Sequence, residues 1–111
     1  MPWTTLCELS ECAEGEGTFV DIDGRELAVF LHEGQPRAMD NLCPHAGGSM
    51  ASGYVEMHGD QACAVCPWHG WAFRLSDGEF NDMPGFEIRV YETRVEVDGE
   101  RQLVQADLPM P

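Results

Sequence analysis

The sequence has no lysine, and its only basic side chains are six arginines against 20 acidic residues, which gives a formal net charge of −14. Such a charge argues against a phosphate-rich partner, because binding to nucleic acid or anionic lipid needs clustered lysine or arginine. No apolar run approaches the roughly 18 to 20 residues that a membrane helix requires. The first residues lack the basic and apolar regions of a secretory signal, so we expect a cytoplasmic protein.

Motifs for catalysis are also missing. The sequence has no Gly-rich nucleotide-binding loop, no flavin site and no mononuclear iron triad. We therefore expect a chain that is not itself an enzyme. Its five cysteines are an odd number and no secretory signal is visible, which disfavours a disulfide scaffold and makes metal binding the better hypothesis.

The length of 111 residues fits one compact domain, so we take residues 1–111 as a single domain with an acidic leader or loop over residues 1–17. From Thr18 onward, short β-type runs alternate with turn signals and no stretch keeps a helical period, which predicts an all-β fold. Thr18–Ile22 and Glu26–Leu31 flank Asp23-Gly24, a dipeptide favoured in tight hairpins. Further predicted strands are Pro36–Asp40, Ala62–Val65, Trp71–Leu75, Phe86–Tyr91 and Arg94–Val97, with turns at Asp77-Gly78 and Asp98-Gly99.

Two short cysteine–histidine motifs point to the chemistry of the protein. Cys43-Pro-His45 and Cys66-Pro-Trp-His69 are separated by twenty residues, and the tight spacing within each motif lets both side chains point to the same side of a loop. Glycines beside each pair allow the backbone to pass close to an inorganic centre. Two Cys and two His can hold tetrahedral zinc, but zinc sites usually group Cys with Cys and His with His, whereas each half here mixes the two.

The mixed arrangement resembles the Rieske [2Fe-2S] family, in which Cys-x-His and a later Cys-x-x-His hold the two irons of one cluster. The resemblance covers about residues 18–97 and is strongest in two cluster-binding loops at about 43–50 and 66–73. It implies a Rieske-type antiparallel β-sandwich with a small cluster-binding subdomain. The segment between the two loops, which runs through Met57–Gln61, looks a few residues longer than is typical of the family.

The resemblance also assigns roles to individual residues. Cys43 and Cys66 would ligate the buried iron of one [2Fe-2S] cluster. His45 and His69 would ligate the outer iron near the surface. Met83-Pro84-Gly85 would form a proline-containing loop that covers the cluster.

Four further positions indicate the low-potential branch of the family. High-potential members carry a disulfide between the loops, at positions where this sequence has Gly48 and Trp68. They also place Ser and Tyr hydroxyls near the cluster, where Trp71 and Phe73 stand here. Hydrogen bonds to sulfur stabilise the extra negative charge of the reduced cluster, so their absence lowers the reduction potential. We expect the low end of the Rieske range of roughly −150 to +300 mV.

The resemblance implies a small soluble electron carrier that passes single electrons from a flavin-containing ferredoxin reductase to a terminal oxygenase or other redox enzyme, in transient complexes. Between Asn41 and Ser76 the only acids are Glu56 and Asp60, so the cluster region is comparatively neutral within an acidic protein. Two alternatives remain open. One is the small subunit of an assimilatory nitrite reductase, a similar domain that often lacks the ligands, and the other is a structural zinc-binding interaction module.

The remaining cysteines and histidines are given structural interpretations. Cys63 lies in a predicted strand and is expected to be a small buried hydrophobe. Cys7 and Cys12 could form a local disulfide or a second site, but they lie outside the resemblance and are taken as incidental. His32 and His58 have no partner in either motif and are expected on the surface or in loops.

Overall fold

Ten β-strands and two 3-10 helices form the described part of the chain in a computed structural model, which covers residues 3–43, 47–68, 70–82 and 85–109. The predicted all-β fold class is confirmed. Neither 3-10 helix, at Leu9–Glu11 and Met50–Ser52, has the length or the apolar character to span a membrane. The strands are β1 (Trp3–Glu8), β2 (Gly17–Ile22), β3 (Arg25–His32), β4 (Gln35–Asp40), β5 (Tyr54–His58), β6 (Gln61–Val65), β7 (Ala72–Arg74), β8 (Val90–Tyr91), β9 (Thr93–Asp98) and β10 (Arg101–Asp107).

A four-stranded antiparallel sheet in the order β2-β3-β4-β8 forms the centre of the fold. The hairpin predicted around Asp23-Gly24 is confirmed: both residues have positive φ, at 51° and 89°, and they join β2 to β3. Four successive residues of β3, Leu27 to Phe30, are fully buried. Successive side chains of a strand point to opposite faces, so both faces of this sheet must be covered.

A second sheet, in the order β1-β10-β9, covers one face. Leu6 of β1 and Val104 of β10 pack in one buried cluster with Leu27 and Val29 of β3. This packing of two sheets is the predicted β-sandwich. The interpretation of residues 1–17 as a leader or loop is wrong for residues 3–8, because β1 pairs with the distant strand β10 along its length.

The third sheet, in the order β5-β6-β7, belongs to a small subdomain against the other face of the central sheet. Ala28 and Phe30 of β3 share a buried cluster with Ala64 of β6 and Phe73 of β7. Within the segment suspected of being long, Met57–Gln61 is the end of the β5–β6 hairpin, where His58 pairs with Gln61 across a two-residue turn. This subdomain lies in the chain between β4 and β8, which are neighbours in the central sheet.

The predicted strand Phe86–Tyr91 is shorter in the structure, because only Val90 and Tyr91 pair with β4. The Ile88 N–H donates instead to the Gly78 carbonyl at 2.8 Å, which ties this segment to the turn after β7. The segment therefore connects the subdomain to the central sheet.

Candidate metal centre

The two loops that begin at Cys43 and Cys66 have the same backbone hydrogen bonds. The Cys43 carbonyl accepts from the Gly47 N–H at 2.8 Å, and the Cys66 carbonyl accepts from the Gly70 N–H at 2.9 Å. Both glycines have φ of 71°, in the left-handed region where a Cβ is strained. Each loop therefore closes four residues after its cysteine through a glycine-dependent turn.

A second backbone hydrogen bond is also common to the two loops. The Cys43 N–H donates to the Gly48 carbonyl at 2.9 Å, and the Cys66 N–H donates to the Trp71 carbonyl at 2.8 Å. In both loops the acceptor is five residues beyond the cysteine. The two cysteines thus occupy equivalent positions in two loops of equivalent construction, as two halves of one centre would.

Both cysteines are buried, with 1% of the surface of each exposed, and both belong to the cluster that contains Met50, Phe73 and Phe80. Buried thiols in apolar surroundings are soft ligands for iron or zinc, and burial limits access of water to such a centre. The donor set and the positive-φ glycines beside it fit an iron–sulfur centre.

Asn41 fixes the shape of the first loop, and sequence reasoning missed it. Its side-chain oxygen accepts from the Ser49 hydroxyl at 3.1 Å and from the Ala51 N–H at 2.9 Å, and its carbonyl accepts from the Met50 N–H at 2.7 Å. Asn41 is buried, so these bonds join the two ends of the loop away from solvent. An asparagine two residues before a ligand motif was the available signal, because its amide readily bonds nearby backbone.

An aromatic cluster supports the second loop. The Trp71 ring stacks on Phe80 with centroids 4.2 Å apart, and Phe86 meets Trp71 edge-on at 5.3 Å. Phe73, fully buried, lies 5.7 Å from Phe80. Trp71 is therefore part of the packing that supports the loop.

The two loops touch each other through Trp68 and Gly48. A Cβ placed on Gly48 would lie only 2.9 Å from Cδ1 of Trp68, so the indole lies directly against the glycine backbone. These are the two positions where the sequence lacks the cysteines of a disulfide between the loops. Trp68 is 64% exposed, so its other face forms part of the surface.

Several predicted site residues lie outside the described part of the chain: His45, His69 and, in the covering loop, Met83 and Pro84. Gly85, the last residue of that loop, is exposed with φ of 107°. Among the residues that the structure describes, no three His, Cys, Asp or Glu side chains are grouped closely enough to hold a metal. The ligand set of four residues therefore stays a prediction.

Cys63 is separated from the metal centre by strand geometry, and its predicted burial is confirmed. It is fully buried and clusters with Val65 and Ala72, whereas Ala64 and Cys66 belong to the cluster of the metal centre. Alternation along β6 therefore places Cys63 and Cys66 on opposite faces. Burial raises the pKa of the Cys63 thiol, which keeps it protonated.

The two other histidines lie beside carboxylates. His32 Nε2 lies 3.0 Å from Glu33 Oε1, and His58 Nε2 lies 3.4 Å from Glu56 Oε1. Both are partly exposed at or near strand ends, as expected.

A β-sandwich that carries two equivalent cysteine loops on an inserted three-stranded subdomain defines a small metal-binding protein of the iron–sulfur type. The chain belongs to the Rieske family: the model of the Rieske [2Fe-2S] domain matches residues 2–92. The predicted family is confirmed, and the cofactor is one [2Fe-2S] cluster. The match begins sixteen residues before Thr18, so Cys7 and Cys12 lie within it. The expectation that these two cysteines lie outside the family resemblance is therefore wrong.

Relatives and solved structures agree with this assignment. The chain is 33% identical to the ferredoxin component of the naphthalene 1,2-dioxygenase system of Pseudomonas putida over 95 residues, which is 85% of this chain and 88% of the relative. A Mycobacterium tuberculosis protein described as the small subunit of an NADH-dependent nitrite reductase superposes with a TM-score of 0.84 at 32% identity, covering 97% of this chain and 96% of its own. The ferredoxin of Sphingomonas yanoikuyae B1 gives 0.75 at 28% identity, covering 96% and 99%.

Other curated relatives are larger proteins. The chain spans between 17% and 37% of the length of four of them. The Rieske domain thus occurs both alone and as one part of longer chains.

Proposed function

We propose that this chain is a single-electron carrier whose [2Fe-2S] cluster is held by Cys43, His45, Cys66 and His69. The observation that carries the proposal is the matched pair of cysteine loops, with equivalent backbone bonds and both thiols buried in one cluster. When bound, the cluster supplies a centre that accepts and releases one electron at a time. The chain itself catalyses no bond chemistry.

The surroundings of the loops support this role. Cys43 and Cys66 lie inside the protein, which fits ligation of the inner iron, and in the sequence His45 and His69 follow them by two and three residues. Among the residues that the structure describes there, three exposed apolar side chains lie in or beside the loops or just after the predicted covering loop: Leu42, Trp68 and Phe86. Apolar side chains there exclude water and let a partner approach the centre closely, which shortens the distance for electron transfer.

We infer that the partners are a ferredoxin reductase as electron donor and a terminal oxygenase or another redox enzyme as acceptor, in transient complexes in the cytoplasm. The name of the Pseudomonas putida relative, a component of a dioxygenase system, supports an oxygenase. The net charge of −14 supports steering of a basic partner surface. The rate of association with the partner should then fall as the salt concentration rises, and a rate independent of salt would contradict electrostatic steering.

We place the cluster in the low-potential branch. The Trp68 indole lies against Gly48 where that branch lacks a disulfide, and Trp71 and Phe73 bring no hydroxyl to the second loop. Fewer hydrogen bonds to sulfur leave the reduced, more negative cluster less stabilised.

The small subunit of a nitrite reductase is the second candidate, favoured by the superposition on the Mycobacterium tuberculosis structure. The presence of all four predicted ligands in this sequence favours the carrier. Affinity purification of the tagged chain from its own cells separates the two, because a subunit co-purifies with a large sirohaem protein at a constant ratio. A carrier with transient partners is recovered alone.

The test is the visible absorption spectrum and, after dithionite reduction, the low-temperature EPR spectrum of protein purified without oxygen. We expect a red-brown protein with a rhombic reduced signal whose average g is lowered by histidine ligation. Colourless protein with one zinc per chain would contradict the proposal and establish the zinc-binding module.

Variants assign the ligands. Cys43→Ser and Cys66→Ser should lose the spectrum, and His69→Cys should change it toward that of a cluster with more thiolate ligands. Cys63→Ser is the matched control, since Cys63 is buried like the ligands but on the opposite face of β6. Loss of the spectrum in Cys63→Ser would overturn the assignment.

A further inference from the structure

Cys7 and Cys12 form a pair of thiols outside the metal centre. Their Sγ atoms lie 3.7 Å apart, in van der Waals contact, and both side chains are only partly buried. No disulfide joins them in the structure. The pair is therefore close enough to react and open enough for a small oxidant to reach it.

The fold of the chain between the two cysteines holds them together. Cys7 lies near the end of β1, and the 3-10 helix Leu9–Glu11 turns the chain back so that Cys12 follows as its C-terminal cap. The Glu8 N–H donates to the Glu11 carboxylate at 2.8 Å, and the Cys12 N–H donates to the Leu9 carbonyl at 3.0 Å. A bulge between Thr5 and Cys7 shifts the register of β1 against β10, and the pairing resumes at Cys7 and Glu8.

The pair is also separate from the cluster. Cys7 and Cys12 pack against the buried cluster between the two sheets of the sandwich, which contains Leu6 and Val104. Cys43 and Cys66 belong to the other buried cluster, on the opposite face of the central sheet. A reaction at the first pair therefore needs no change in the residues of the metal centre.

We propose that Cys7 and Cys12 are a redox-reactive dithiol that closes to an intramolecular disulfide when the protein meets a peroxide. One thiol is oxidised by hydrogen peroxide to a sulfenic acid, and one water is released. The second sulfur then displaces the hydroxyl group of the sulfenic acid, the S–S bond forms, and the displaced hydroxide leaves with the second thiol's proton as another water. Two thiols lose two electrons, and one peroxide is reduced to two waters.

Burial slows the reaction of Cys7 with peroxide. Burial, reinforced by the neighbouring Cys12, raises the pKa of Cys7 to about 12. Cys7 is therefore a protonated thiol at neutral pH and a poor first nucleophile toward peroxide, because the thiolate is the reactive form. Once either sulfur is oxidised, the other lies 3.7 Å away and can resolve the sulfenic acid.

The arginine positions allow tryptic peptides to report the oxidation of Cys7 and Cys12 separately from the other cysteines. Because the sequence has no lysine and its first two arginines are Arg25 and Arg37, trypsin releases residues 1–25 with Cys7 and Cys12 as their only cysteines. The other three cysteines fall together in the peptide 38–74. The holoprotein is treated with an equivalent of hydrogen peroxide, alkylated under denaturing conditions, digested and weighed by mass spectrometry.

We expect the peptide 1–25 to change from doubly alkylated to unalkylated, with the mass of two hydrogens lost, and to recover both alkyl groups after dithiothreitol. In Cys7→Ser and in Cys12→Ser the intramolecular disulfide cannot form, so the remaining cysteine should be recovered alkylated or, where it has been oxidised, as a sulfenic acid that dimedone traps. Cys63→Ser should behave as the parent protein.

Three outcomes would overturn the proposal. They are a peptide 1–25 that stays doubly alkylated, one that accumulates sulfinic acid without the disulfide, and a disulfide that joins two chains. The visible spectrum, recorded in the same sample, checks separation from the cluster. It should be unchanged by an amount of peroxide that closes the disulfide, and closure that occurs only after the spectrum is lost would also contradict the proposal.

Discussion

Gly53 controls how the 3-10 helix at Met50–Ser52 packs against the strand that leads into Cys66. A Cβ placed on Gly53 would lie 1.9 Å from the carbonyl oxygen of Val65, the residue directly before Cys66. Its backbone is extended, with φ of −93° and ψ of −161°, so an alanine adopts it without conformational strain. The change Gly53→Ala is therefore a nearly pure steric perturbation.

The magnitude follows from the required movement. Ordinary contacts begin at 3.4 Å, so the two segments must separate by about 1.5 Å. Val65 is buried and paired on both sides, with Tyr54 and with Ala72, so the strand can yield only by breaking pairing. Forcing an extra group into such packing costs about 3 kcal/mol, the upper part of the usual range. For a chain of this size that lowers the melting temperature by roughly 10 to 20 °C.

The assay is thermal unfolding of the oxidised protein without oxygen, at one scan rate, followed by circular dichroism and by the visible absorption of the cluster. Gly34→Ala is the matched control, because Gly34 has φ of 75° and no atom within 4 Å of its added Cβ. It should cost only about 1 kcal/mol for the left-handed backbone and should leave the cluster content unchanged. Equal melting temperatures for the two variants, or full cluster content in Gly53→Ala, would refute the steric reasoning.

Three further predictions concern the centre and the central sheet. Phe73→Tyr should raise the reduction potential measured by voltammetry, because it adds a hydroxyl donor where the high-potential branch has one. Phe80→Tyr is the control and should leave the potential nearly unchanged. Equal shifts in the two variants would contradict the role assigned to the hydroxyl group. Asn41→Ala should lower the unfolding free energy by about 1 to 3 kcal/mol and accelerate loss of the cluster absorption, because buried N–H and O–H groups lose their acceptor. Asn41→Asp keeps an acceptor oxygen and should retain most of the stability and of the cluster absorption. Burial and a hydrogen bond to Asp40 raise the pKa of Tyr91 to about 12, so the folded state keeps the proton that the unfolded state loses near its ordinary pKa of 10. Stability should therefore fall between about pH 10 and pH 12, and urea unfolding of Tyr91→Phe should show a smaller fall; an identical fall in both proteins would contradict the assigned pKa.

Local features of the fold were predictable from sequence, and distant pairings were not. The β2–β3 hairpin depends on Asp23-Gly24 and on strands beside it in the chain, so a short window contains the whole signal. β1 has no such local signal: Trp3 pairs with Asp107, and the acidic residues that follow β1 indicate a loop when considered alone. The pairing depends on tertiary structure, which overrides local propensity.

The candidate site shows the same division. The cysteine–histidine spacing identified the family, because ligand chemistry demands particular residues at particular intervals. The support of the loops was less visible: the contact between Trp68 and Gly48 joins two separate loops, and the role of Asn41 depends on atoms eight to ten residues away. The contact between Cys7 and Cys12 depends on the turn made by a single 3-10 helix.

The position of the subdomain between β4 and β8 makes it a modular insertion. The chain leaves the central sheet after Asp40 and returns at Arg89, and the Asp40 N–H donates to the Arg89 carbonyl at 2.9 Å, so the two ends meet at one point. An insertion with adjacent ends can change in length without altering the pairing of β2, β3 and β4. The exposed turn at Gly59 and Asp60 is the place in this insertion where added residues should be best tolerated, which makes it a suitable point for attaching a label or grafting a partner-binding segment.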